Sequence, residues 1–89
     1  MDKKEISKIL EEIGMMLELQ GENPFKTRAY INGARTIELL KEDIHAVVQE
    51  DRLKEIKGIG KALQEKITEL VSTGKLNYYE ELKSQIPEG

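Results

Sequence analysis

Between Leu53 and Gly60 the chain reads Leu-Lys-Glu-Ile-Lys-Gly-Ile-Gly, two glycines spaced around an isoleucine with apolar residues at fixed offsets before them. Glycine has no Cβ, so a backbone at Gly58 and Gly60 can take positive φ, turn tightly and approach a ligand closely. An amphipathic pattern follows at once, with Leu63, Ile67, Leu70 and Val71 at helical spacing, and it predicts a helix over 61–72. A helix that starts there turns unpaired N–H groups and the positive end of its dipole on the hairpin, an arrangement suited to a phosphate. Ile59 is expected to be buried as the anchor of the turn, while Lys57 and Lys61 add charge beside it. A tight glycine turn that joins two helices and binds nothing is the alternative reading. Contacts of this kind follow the backbone of a nucleic acid and not its bases, so the expected binding of DNA is sequence-independent and sensitive to salt.

The elements that must position this turn all carry helical patterns. Ile6, Ile9, Leu10, Ile13, Met16 and Leu17 predict a first helix over 3–20, ended by Gly21. Asn23 is placed to cap, and Pro24 to open, a second helix over 24–40, with Phe25, Ala29, Ala34 and Ile37 on its inner face and Gly33 allowing close approach. Asp43 caps a short helix carrying Ile44, Val47 and Val48, and Leu53 and Ile56 suggest one more turn. Thr73-Gly74-Lys75 supplies a glycine C-cap. Asn77 is expected to cap a last helix with Tyr79, Leu82 and Ile86 inside, and Pro87-Glu88-Gly89 reads as a stop or a linker. No strand pattern or internal repeat is present. The expected fold is all-α, a compact bundle of five or six short helices that contains a helix-hairpin-helix motif, in one domain over 1–89.

Charge sharpens the reading. The net charge of −3 argues at first against a nucleic-acid partner. It is unevenly spread, however: 24–37 holds Lys26, Arg28 and Arg35 with no acid, and 52–66 holds Arg52, Lys54, Lys57, Lys61 and Lys66 against Glu55 and Glu65. Each segment nets +3. If the two meet in the fold, an acidic protein gains one cationic face; ordinary solvated helix lysines are the other reading. The chain has no cysteine and one histidine, His45, so neither a disulfide framework nor a zinc cluster is available. No apolar run approaches the length of a membrane span or a signal core. A cytoplasmic, nucleoid-associated monomer with no membrane partner is the expectation.

With the hairpin placed, the chain resembles the N-terminal lyase-type domain of family X DNA polymerases, closest to bacterial and archaeal members. The resemblance rests on Gly21-Glu22-Asn23-Pro24-Phe25-Lys26, Arg28-Ala29-Tyr30, Ile56-x-Gly58-Ile59-Gly60, Glu65-Lys66-Ile67, Thr73-Gly74-Lys75-Leu76 and Tyr79-Glu80-Glu81-Leu82. It implies an excised N-terminal fragment of a larger repair polymerase that binds gapped, 5′-phosphorylated DNA during base excision repair. Lys26 and Tyr30 match the family's 5′-phosphate pocket, and their spacing puts them on one helix face. Lys66 matches the Schiff-base lysine of members that remove a 5′-deoxyribose phosphate, with Glu65 beside it as a weak candidate for moving protons. Such an amine must be neutral to attack, and Lys26 and Lys61 are the positive charges expected to favour this.

Several positions depart from the family. Ala62 stands where lyase-active relatives carry a second phosphate-binding lysine, with Lys61 next to it as a substitute. Phe25 replaces a histidine that stacks on a template base, and fits either that stack or the core. Gln64 fills a position usually small, and Lys57 a common proline. The family also implies a monovalent cation, sodium or potassium, on the hairpin carbonyls of Lys54, Ile56 and Ile59. Polymerase chemistry and its divalent metals belong to domains outside this sequence. Three functions follow: a DNA-binding module of a polymerase, an active deoxyribose-phosphate lyase acting through Lys66, or a protein-interaction bundle using Met15, Met16 and the acidic first helix.

Overall fold

Asp2, Asn23 and Asp43 each turn a side-chain oxygen on a backbone N–H just downstream, accepting from Glu5 at 2.9 Å, Phe25 at 2.9 Å and His45 at 3.2 Å. These caps satisfy donors that a helix cannot pair internally. They open α1 (Lys3–Leu19), α2 (Pro24–Glu38) and α3 (Ile44–Gln49) in a computed structural model that describes residues 1–86. A 3-10 turn (Leu53–Glu55), α4 (Lys61–Thr73) and α5 (Asn77–Gln85) complete the chain, with no strand among the described residues. The all-α bundle of five or six short helices anticipated from the pattern is thus what forms, with five α-helices and one 3-10 turn among the described residues. Pro87-Glu88-Gly89 lies outside the described residues.

α1 and α2 end slightly before the predicted positions, with Gln20 and Leu39 as their C-caps. They pack antiparallel, and the Ser7 hydroxyl, buried between them, donates to the Ala34 carbonyl at 2.7 Å. The core is a continuous set of leucines and isoleucines from α1, α2 and α4, joined by Ile44, Val47, Leu53, Ile59, Leu76 and Leu82.

The structure corrects three details. On α2 the inward stripe is Tyr30, Gly33, Ala34 and Ile37, while Phe25 and Ala29 face solvent, Phe25 with 78% of its surface exposed. Asn77 does not cap α5: Leu76 occupies the cap position, and the Asn77 N–H donates across to the Glu69 carboxylate of α4 at 2.9 Å. Ile86 lies past the end of α5 and is only partly buried.

α2 also meets the hairpin. A Cβ added at Gly33 would lie 2.7 Å from Leu63 Cδ1 and 3.7 Å from Ile59 Cδ1, so this glycine lets α2 approach the turn and α4 closely. The two basic segments are therefore neighbours. Among the described residues no helix is long and apolar enough to cross a membrane.

Candidate nucleic-acid interface

The hairpin forms one part of the site. Leu53 and Ile59 are buried on either side of it and pin both ends to the core. Ile56 leaves the 3-10 turn in extended conformation, and Gly58 reverses the chain at φ +95°, a region that strains any residue with a Cβ. Gly60 differs from the expectation: its φ of −76° and ψ of 173° are ordinary extended values. A Cβ there would meet nothing within 4 Å, so the surroundings of Gly60 are open.

The mouth of α4 is distinctive. Side-chain oxygens cap α1, α2 and α3, and the Glu69 carboxylate accepts from the first residue of α5, whereas Gly60 leaves α4 with no side-chain cap. The first turn of α4 therefore has no side-chain acceptor at its start, which lies beside exposed Lys57 and Lys61. Within the turn, the Ile59 N–H donates to the Ile56 carbonyl at 3.2 Å, and the Gln64 carboxamide donates to the Ile59 carbonyl at 3.1 Å.

A second cluster lies where α2, α4 and α5 meet. Tyr30 is 3% exposed and its ring stacks on that of Tyr78, with centroids 6.2 Å apart and planes 19° from parallel. Lys66 of α4 places Nζ 4.7 Å from the centre of the Tyr78 ring, and Lys26 of α2 places its own at 5.8 Å. The negative face of an aromatic ring attracts an ammonium at such distances. Burial, and then the neighbouring Tyr78 phenol, hold the Tyr30 phenol well above its ordinary range.

The structure thus brings together Lys26, Tyr30 and Lys66, three residues singled out from the sequence, around a fourth that was not. Tyr78 lies on α5, and only the docking of that helix brings it here. Glu65 does not join the cluster. It lines a separate cavity of about 370 Å³ with Asp51, Lys61 and Gln64, roughly 100° around α4 from Lys66. Phe25 stands exposed near the start of α2, with the Arg28 guanidinium 5.9 Å from its ring centre. Met15 is 54% exposed on α1 and Met16 partly buried.

Pairing decides which cations remain available. Arg52 is held by Glu42 and Glu50, at 2.9 and 2.6 Å, and Lys54 by Asp51 at 3.5 Å. Among the described residues Lys26, Lys57, Lys61 and Lys66 pair with no carboxylate. No group of three or more potential metal-binding side chains occurs among the described residues.

Comparison with known proteins agrees with the hairpin. A family model described as "Helix-hairpin-helix domain" matches residues 1–76. Over all 89 residues the chain is 36% identical to the "DNA polymerase/3'-5' exonuclease PolX" of Bacillus subtilis (strain 168), of which it spans 15%. The resemblance read from the sequence motifs is borne out by this match to the N-terminal part of a family X polymerase.

Proposed function

This chain belongs to the helix-hairpin-helix domain family, and from that premise we propose that it binds DNA through backbone phosphates, as the N-terminal module of a family X repair polymerase. The hairpin and the mouth of α4 take an internal phosphate. The Lys26–Lys66–Tyr78 cluster takes the 5′-phosphate at a gap. The observation that carries this reading is the uncapped start of α4 beside Lys57 and Lys61, in a bundle where acidic or amide side chains serve the other helix starts. Such contacts carry no base information, which suits a protein that must act at any sequence. The polymerase activity of a larger protein is part of the same proposal and rests on the PolX relative.

Gly60→Ala tests the hairpin, because its backbone angles and surroundings accept a methyl group, which a phosphate drawn close to the backbone there would meet. Fluorescence anisotropy on gapped duplexes is expected to show several-fold weaker binding by the variant, with its helical circular dichroism unchanged. Unchanged affinity would sink the hairpin reading. A preference for a 5′-phosphorylated gap that survives Lys26→Ala combined with Lys66→Ala would sink the cluster reading.

One observation favours a lyase reading as well. Lys66 is partly buried, pairs with no carboxylate among the described residues, and lies with Lys26 against one tyrosine ring. Its amine would condense with the C1′ aldehyde of an opened sugar, releasing water and forming an imine. Borohydride reduction on an incised abasic substrate is expected to trap a covalent adduct that Lys66→Ala loses. No adduct in the unmodified protein rules the lyase out.

A further inference from the structure

An acid stands within one helical turn of Lys66 and does not pair with it. Residues three and four apart lie side by side on a helix, and of those around Lys66 on α4 (Ala62, Leu63, Glu69 and Leu70) Glu69 alone is charged. At the same spacing elsewhere in the chain, Lys54 pairs with Asp51 at 3.5 Å and Lys83 with Glu80 at 3.1 Å. Lys66 instead sets its ammonium over the Tyr78 ring. The Glu69 carboxylate is engaged elsewhere: Oε2 accepts the N–H of Asn77, the first residue of α5, at 2.9 Å. Leu76, at the cap position, has no side chain that could do this. The bond from α4 therefore satisfies a donor that α5 leaves unpaired, and it sets a negative charge at the positive end of that helix.

We infer that Glu69 is a positioning residue for the phosphate site: by capping α5 it is held off Lys66, so that the ammonium stays against Tyr78 and open to an anion. Tyr78 is the second residue of α5, so the same bond fixes the start of the helix that carries the ring. The acid able to neutralise Lys66 is thereby used to place the group that holds it. Undocking of α5 frees Glu69 to pair with Lys66 and removes the ring in one event, which ties the cation's availability to the docking of the last helix. The effect on DNA rests on the 5′-phosphate reading above; the place of Lys66 in the free protein does not.

Asn77→Pro parts the acid from the helix without altering a side chain of the cluster. Proline lacks the N–H, suits the first position of a helix, and calls for an extended residue before it, which Leu76 already is at φ −140° and ψ 110°. Proton NMR of the full chain reads the ring-current shift of the Lys66 ε-methylene, and anisotropy reads the preference for a 5′-phosphorylated gap over an unphosphorylated one. The unmodified chain is expected to show the shift, and so is Glu69→Gln, whose carboxamide oxygen still accepts. Asn77→Pro should lose it and discriminate the phosphate several-fold less, and Asn77→Pro combined with Glu69→Gln, which offers Lys66 no charge, should recover both. Equal losses in the single and double variants reduce Glu69 to a helix-stabilising role and overturn the inference, as does a shift that survives Asn77→Pro or is absent from the unmodified chain. Ala62→Glu gives a second route at an exposed position, setting an uncommitted carboxylate four residues before Lys66. It should draw Lys66 off the ring, and a methylene shift that persists there also overturns the inference. If none of these proteins prefers the 5′-phosphate, the 5′-phosphate reading fails instead, and the methylene shifts still decide the role of Glu69.

Discussion

The ammonium of Lys66 stands 4.7 Å from the centre of the Tyr78 ring, held by an aromatic face in place of a carboxylate. A phosphate arriving there would meet an ammonium that pairs with no carboxylate among the described residues and is kept in place by the ring face. Such a contact contributes about 0.5–1 kcal/mol at an exposed site. Tyr78→Leu is therefore expected to destabilise the fold by about 1 kcal/mol in chemical denaturation and, on the proposed function, to erode a preference for 5′-phosphorylated gaps. Tyr78→Phe keeps the ring and should keep both. A phenylalanine variant as impaired as the leucine one would show that the ring face is not what orders the lysines.

The two hairpin glycines separate fold from function. Gly58 sits at φ +95°, so Gly58→Ala is expected to cost about 1–2 kcal/mol of stability. Gly60→Ala should cost less than about 1 kcal/mol, the difference between glycine and alanine at a helix N-cap, while weakening DNA binding more. Denaturation midpoints set beside anisotropy titrations will show whether the two effects divide this way.

Lys57 and Lys61 should register in the salt dependence. Each phosphate neutralised releases condensed counterions, so replacing either lysine by alanine is expected to lower the slope of log affinity against log salt by about 1. An unchanged slope in both variants would place their charges away from the DNA.

Alkaline pH will probe the anchoring of α5. The Tyr79 phenol donates to the Glu12 carboxylate of α1. Burial first, then that bond and the Glu12 charge, push its pKa from 10.0 to about 12. The folded state holds this proton more tightly than the unfolded chain does. The stabilisation is thus complete below pH 10 and lost as the pH rises through 12. Thermal melting followed over that window should show a fall that is shallower in Tyr79→Phe. At neutral pH the same variant should lose about 1 kcal/mol, the worth of a partly exposed hydrogen bond to a charged group. A melting temperature that climbs with pH above 10 would contradict the assignment.

Much of this arrangement is legible locally. Asn23-Pro24, Asp43 and Gly74 mark helix ends because caps depend on residues within a turn of the boundary. Lys26 and Tyr30 share a face because four residues make about one turn. The outward place of Phe25 has a reason the pattern itself contains: it lies five residues before Tyr30 of the buried stripe, and five residues turn a helix about 140° from the starting face. Its size predicts an inward place, while register sends it outward. Asn77 and Tyr78 are different. The acceptor for Asn77 comes from Glu69 on another helix, and Tyr78 acquires its partners only when α5 docks, so neither relationship is written in neighbouring residues.

The antiparallel pairing of α1 and α2 bears on the order of events in time. The residues that join them are close in sequence, with only Gln20 to Asn23 between the helices. Contacts of short separation close with little loss of chain entropy, so this pair is expected to assemble early in refolding. Lys26 and Tyr30 ride on it, but Lys66 and Tyr78 belong to elements added afterwards. Stopped-flow refolding should therefore show helical signal rising before the chain can capture DNA, with the capacity to bind as a late acquisition of the completed bundle.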